Sequence, residues 1–273
     1  MKQSIVFRGS ICNDRYKTNF LKDSVSELRK WFFGEIIIST WHGQEENANC
    51  ISGVDKIVYT QDPESGLVAH NRRQHISFRE GVKASSGDVV FVTRTDCLLT
   101  KDPFYLMDCN QDHDTRFRFV SRRMVAGNMM TFSPNQGSSS SEKWDGYFRL
   151  GDWFHMGMRK DILLWGDVLE FSEQLNADVN GIQTPNRSVE QLWLMSAINK
   201  YSKDKIDLQK YQFMDVYDAW AGILNNFRVV NTRSTAGVHN LNWNHKSEFH
   251  PLYVTEDEYN TAFLNRYGTI IKG

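Results

Sequence analysis

Asp88-Val89-Val90-Phe91-Val92-Thr93, followed by Arg94-Thr95-Asp96, is the stretch on which the fold turns. A run of Val and Phe without polar alternation reads as a strand buried on both faces, as in a sheet covered by helices. The run stops at a polar triplet, and in open α/β sheets ligands gather at the carboxyl ends of such strands. A carboxylate fixed there is well placed to hold a metal or to face a charged substrate.

Working outward, further strands are expected over residues 4–7, 35–41 and 56–60, each rich in Ile or Val. They close on polar ends, Arg8-Gly9-Ser10, Ser39-Thr40-Trp41 and Gln61-Asp62-Pro63. Residues 18–31 have helical spacing, with Phe20, Leu21, Val25, Leu28 and Trp31 on one face and Gly34 beyond. A second helix is expected over residues 71–84, just before the opening strand. Strand and helix in alternation argue for a doubly wound, Rossmann-like α/β fold with a mostly parallel central sheet. After about residue 120 the pattern becomes more helical and irregular. Residues 131–141, with Pro134, Gly137 and four consecutive serines, read as a lid or an insertion. Residues 148–164 read as strand, turn and helix. Ser188 with Gln191 reads as a capping box for a helix over 189–199, and a short strand is expected near 225–230. The whole is expected to be one domain over 1–273, with 1–120 as a nucleotide-binding half and 121–273 as an acceptor-binding half and tail.

Composition narrows the function. At 273 residues and 40% hydrophobic, the chain can bury a large core. A formal net charge of -1 implies no broad basic surface, which argues against duplex nucleic acid as a main partner. Cys12, Cys50, Cys97 and Cys109 form no Cys-x-x-Cys pair, so neither a zinc site nor a thioredoxin-like motif is suggested, and reduced thiols suit a cytoplasmic protein. The N-terminus enters a strand directly and does not read as a signal peptide, and no run is long and apolar enough to span a bilayer. A lipid-linked substrate would have to be met at the membrane surface, at its inner face.

The motifs point to phosphate and sugar chemistry. The first strand is not followed by Gly-x-Gly-x-x-Gly, and no Walker-type run is present, which disfavours dinucleotide oxidoreductases and P-loop enzymes. The polar strand ends converge on one edge of a parallel sheet. There Arg8, Gly9 and Thr40 line the edge, Trp41 offers a ring to a base, and Asp62 an acceptor to a ribose hydroxyl. Each is equally an ordinary turn residue taken alone. Asn71-Arg72-Arg73-Gln74 opens a helix, where guanidinium groups and free backbone N–H groups suit phosphate; a solvated basic face is the plainer alternative. Asp-x-Asp triplets in sugar-transferring enzymes hold a divalent cation against a donor diphosphate. Here Arg94 stands in the first acidic place and Asp96 in the last. Gly151-Asp152-Trp153-Phe154-His155-Met156-Gly157 brackets an acid, two aromatics and a histidine with glycines. Asp152 suits a base or a binder of sugar hydroxyls, while Trp153 and His155 suit acceptor contacts; the plainer reading is a buried aromatic turn. Glu190, in the first turn of a helix where the macrodipole favours a carboxylate, is a second candidate base and equally a helix-start residue. Of the tail histidines, His239 and His245 are the ones to test as ligands, and His245 joins Asp96 as a candidate metal residue.

In their order and spacing, these segments resemble the WavE-type lipopolysaccharide-synthesis family. The matching stretches are Ser4-Ile5-Val6-Phe7-Arg8-Gly9, Ile36-Ile37-Ile38-Ser39-Thr40-Trp41, Gln61-Asp62-Pro63, Asn71-Arg72-Arg73-Gln74, Arg94-Thr95-Asp96 and Asp152-Trp153-Phe154. The turn Arg8-Gly9-Ser10 departs from the family's pattern after the first strand, which is Gln-Gly-Pro. The resemblance implies a glycosyltransferase of the GT-A fold, a nucleotide-sugar donor, and a glycan or lipid-linked oligosaccharide acceptor of lipopolysaccharide or capsule. It also implies Mn2+ or Mg2+, with Asp96 at the metal or diphosphate and Asp152 or Glu190 as the acceptor base; Arg94 is a further candidate for the diphosphate, and if it does that work alone the enzyme is metal-independent. A nucleotidyltransferase, a transferase of nucleotide-activated polyol phosphate, and a non-catalytic carbohydrate-binding protein are the alternatives.

Overall fold

The structure, a computed structural model, describes residues 1–11, 19–63, 67–107, 114–129, 131, 133, 134, 147–170, 189–207, 214–240 and 254–267. The first four strands are β1 (Gln3–Arg8), β2 (Glu35–Trp41), β3 (Lys56–Thr60) and β4 (Val89–Arg94). After the short β5 (Cys97–Leu99) come β6 (Met124–Gly127), β7 (Phe154–Met158), β8 (Phe227–Val230) and β9 (Val238–Asn240). Seven of these form one sheet in the order β3-β2-β1-β4-β7-β6-β8, and β5 pairs with β9 in a second. β1 to β4 are mutually parallel, β7 runs against β4 and β6, and β8 is parallel to β6. The expected α/β class with a mostly parallel central sheet is the observed one.

The helices are α1 (Asn19–Leu28), α2 (Glu45–Asn49), α3 (Leu67–Ala84), α4 (Arg159–Gly166), α5 (Val189–Tyr201), α6 (Val216–Leu224) and α7 (Glu256–Tyr267). Successive strand residues face opposite sides, and the sequence uses this to build two cores. Ile5, Phe7, Ile36, Ile38, Val89 and Phe91 pack with Leu21, Val25 and Leu28 of α1. Val6, Ile37, Val90 and Val92 pack on the other side with Phe78 and Val82 of α3, Trp165 of α4 and Trp193 of α5. Gly81 allows the close approach of α3: a Cβ there would lie 2.5 Å from Val6 Cγ1. By the same parity Arg8 and Arg94 fall on the α3 side of the sheet. None of the described helices is long and apolar enough to cross a membrane.

Some expectations shift. The helix expected from residue 71 begins at Leu67, so Asn71, Arg72 and Arg73 lie inside α3, past the turn whose backbone N–H groups are free. The strand expected from residue 148 begins at Phe154. The capping box expected between Ser188 and Gln191 falls partly outside the described residues, since Ser188 is not among them. Gln191 Nε2 donates to the Tyr147 carbonyl at 3.0 Å. The serine-rich segment, His245 and His250 also lie outside the described residues.

One buried carboxylate outside the candidate list has a structural task. Asp161, 1% exposed, accepts from Ser121 N at 2.7 Å, Ser121 Oγ at 2.8 Å and Arg122 N at 3.1 Å. Asp161→Ala is expected to lower stability by about 1–3 kcal/mol, as lost hydrogen bonds to an ionised group do. Urea unfolding measures this, and an unchanged midpoint would show that water replaces the carboxylate.

Candidate active site at the carboxyl edge of the sheet

Parallel pairing brings the ends of β1 to β4 to one rim. Arg8 lies opposite both Ser39 and Arg94 in the register. The pairing continues past the strands: Thr95 N donates to the Arg8 carbonyl at 3.1 Å, and Thr95 Oγ1 to the Ser10 carbonyl at 2.6 Å. Gly9 makes the turn with φ +110°, a conformation that disfavours any side chain, while its N–H donates to the Ser39 carbonyl at 3.0 Å. Because β7 is reversed, its start lies at this same rim, with Thr93 opposite Phe154. Thr93 Oγ1 donates to the Trp153 carbonyl at 2.9 Å and so pins the chain next to Asp152.

The result is a quartet of two arginines and two aspartates. Arg8 Nη2 donates to the Asp152 carbonyl at 2.8 Å and to Asp152 Oδ2 at 3.3 Å. Arg94 Nη1 reaches the same Oδ2 at 3.3 Å. Arg94 also grips Asp96 with a two-pronged pair, Nε to Oδ1 and Nη2 to Oδ2, both 2.9 Å. Burial alone would raise the Asp152 carboxyl, but Arg94 and Arg8 outweigh it and hold it below the usual carboxylate range. Burial alone would lower Arg94, but Asp152 and Asp96 hold it well above the ordinary guanidinium value. For Arg8 burial wins, with Arg94 adding to it, and its value is lowered despite Asp152.

Behind the quartet lies an aromatic box. Trp193 and Trp165 stack at 5.1 Å, and the Arg8 guanidinium sits 5.8 Å from the Trp193 ring centre and 5.9 Å from that of Phe78. His155 lies 5.1 Å from Trp165, and His75 of α3 lies 4.1 Å from Trp193. Both histidines are buried, and neither ring nitrogen of either has a hydrogen-bond partner among the described residues. Burial, with Arg8 adding to it, pushes each down to about 3. His75 escaped the sequence reading, although His75, Phe78 and Val82 share the inner face of α3.

The remaining candidates are placed as follows. Thr40 is buried and its hydroxyl faces Gln44 Oε1 at 3.2 Å. Trp41 and Trp153 are each 2% exposed, so their rings belong to the interior rather than to an open stacking platform. His155 too is an interior residue, not an acceptor contact on the surface. Asp62 is held by Arg73 through Nε at 2.5 Å and Nη2 at 2.9 Å, at the end of β3 and away from the quartet. Arg72 is exposed on α3. Glu190 is half-buried in the first turn of α5. Three residues on, Trp193 meets His75, whereas Lys200 reaches Asp167, which lies beside Arg79. Since α3 runs away from the carboxyl rim, the first turn of α5 is the end nearer that rim.

Among solved structures, one similar to this chain is the galactosyltransferase LgtC in complex with donor and acceptor sugar analogs. The identity is 11%, the TM-score 0.43, and the match covers 72% of this chain and 70% of that one. No curated protein matches the chain. The family model for WavE lipopolysaccharide synthesis matches residues 4–267, a span that contains the quartet, the aromatic box and Glu190. By that match over nearly its whole length, the chain belongs to the WavE lipopolysaccharide synthesis family.

Proposed function

We propose that this chain is a glycosyltransferase that moves a sugar from a nucleotide-sugar donor to a lipopolysaccharide or capsule acceptor. One observation carries the reading: in a lipopolysaccharide-synthesis chain, two arginines and two aspartates meet at the carboxyl rim of four parallel strands. The donor diphosphate would lie against the rim near Arg94. An acceptor hydroxyl would attack the anomeric carbon while the bond to the diphosphate breaks. The hydroxyl proton passes to a carboxylate, and the nucleoside diphosphate leaves. Asp152 is engaged by both arginines, so Glu190, which makes no hydrogen bond or ion pair with the described residues, is the better placed carboxylate for the proton. The first half of the chain would hold the nucleotide and the part after residue 120 the acceptor. Work on a lipid-linked acceptor would take place in the cytoplasm, at the inner face of the membrane.

The described residues do not fit the Mn2+ or Mg2+ that the triplet at Asp96 and the resemblance suggest, and His245 lies outside them. Both oxygens of Asp96 accept from Arg94, and Asp152 Oδ2 accepts from two guanidinium groups. Among the described residues, no group of three His, Cys, Asp or Glu is disposed to hold a metal ion. No step of the reading is routed through a metal.

A thermal-shift screen of UDP, GDP, CDP, CMP and dTDP, followed by product analysis with the matching sugars, tests the reading. Binding of the donor nucleotide is expected to raise the melting temperature. Release of a nucleoside diphosphate with a new glycosidic bond supports glycosyl transfer. Pyrophosphate release would mean nucleotidyl transfer, and a polyol-phosphate linkage in the product would mean that transfer instead. Glycan binding without any nucleotide response would remove the enzyme reading. Glu190→Gln is expected to lower kcat by about 10²–10⁴-fold with an unchanged melting temperature, the range for a lost general base.

A further inference from the structure

Resting on the reading of the carboxyl rim as a diphosphate site, we infer that the Arg94 guanidinium stands where a divalent cation would otherwise sit. In this inference Asp96 and Asp152 are positioning residues that hold Arg94, and diphosphate binding needs no metal.

Three observations carry this. The first is the direction of the quartet. Its side chains are 5% exposed at Arg8, 6% at Asp152, 8% at Asp96 and 28% at Arg94. The cluster is neutral in sum, yet the part that reaches solvent is the cation, with the carboxylates behind it. The second is the use of donors and acceptors. Two of the Arg94 nitrogens are bound to Asp96, and Nη1 is only loosely engaged by Asp152 at 3.3 Å. A guanidinium carries more N–H groups than these bonds consume, and its planar fork matches phosphate oxygens. A dication at Asp96 would have to displace that fork and then sit against a positive charge a few ångströms away. The third is rigidity. Arg94 is the last residue of β4, set opposite Arg8 in the register, and the bonds from Thr95 lock the two strand ends together. A fixed charge of this kind needs no reorganisation when a phosphate arrives.

The test is calorimetric titration of inorganic pyrophosphate into the full chain, once in EDTA and once with Mg2+. Binding is expected in EDTA, with a Kd within about threefold of that in Mg2+. Arg94→Met is expected to weaken it at least about tenfold, the loss typical of a charge-assisted pair. Arg94→Lys keeps the charge while losing the fork, guards against loss of folding, and is expected to fall between the two. A chain that binds pyrophosphate only with Mg2+, that does not bind it in EDTA at all, or whose Arg94→Lys and Arg94→Met forms bind as the parent does, overturns the inference. If pyrophosphate binds through Arg94 but no sugar leaves any donor, the anion site stands and the glycosyltransferase reading falls.

Discussion

Asp152→Ala is expected to destabilise the chain by about 3–5 kcal/mol, the usual loss when one partner of a buried ion pair is removed. The reason lies in what stays behind. Arg8 is 5% exposed and would keep only the residue 152 carbonyl as an acceptor, with Arg94 as a like-charged neighbour. Neither guanidinium can shed its proton at ordinary pH, so the strain cannot be relieved by titration. The double variant Arg8→Met, Asp152→Leu removes both charges and is expected to recover most of the loss. Urea unfolding of the parent, Arg8→Met, Asp152→Leu and the double variant forms a complete cycle. A loss below about 1 kcal/mol for Asp152→Ala would mean that water screens Arg8, contrary to the burial seen here.

Stability is expected to fall as pH drops from 7.5 to 5, before ordinary carboxylates begin to titrate. Burial holds His75 and His155 neutral, each near 3 in the folded chain against an ordinary 6.5. Between these values the unfolded chain binds more protons than the folded one, so stability rises with pH across the window. The contribution is fully present above about pH 6.5 and is lost progressively below it. At pH 5 each histidine accounts for roughly 2 kcal/mol, from about 1.4 kcal/mol for each pH unit below the unfolded value. The two together make the effect roughly 4 kcal/mol. Replacing both with phenylalanine should flatten the profile between pH 5 and 6.5. An equally steep profile in that double variant would assign the acid sensitivity elsewhere.

Much of the frame could be read from the chain because the signals are local. β2 and β3 match their expected bounds, since short β-branched and aromatic runs between polar ends leave little choice of span. The approach of the polar strand ends to one rim follows from parallel pairing alone. The bonds within the quartet were not readable. Arg8 and Asp152 are 144 residues apart, and nothing in either segment announces the other. The reversal of β7 decides which end of that strand meets the rim, and reversal leaves no mark in composition. Trp41 and Trp153 show a related limit. A tryptophan beside a strand end serves a sugar platform and a core equally well, and only the packing around it decides. Arg72 and Arg73 were drawn toward phosphate by a helix start that lies four residues earlier. Ser65 and Gly66, both residues that suit a helix start, lie just before it, but the run of polar residues from Asn71 drew the reading past them.

β6 ends at the rim and β7 begins there, so residues 128–153 leave and rejoin the same side of the sheet. With both ends of the connection on one side of the sheet, its length is not tied to the strand spacing. Its two ends are anchored in the interior, through Asn128, Thr131, Phe148, Leu150, Asp152 and Trp153, so only residues 135–146 are candidates for exchange. Chimaeras that graft residues 135–146 between relatives are therefore expected to keep the parent's melting temperature, whereas grafts that also replace Thr131, Phe148 or Leu150 are expected to lose it.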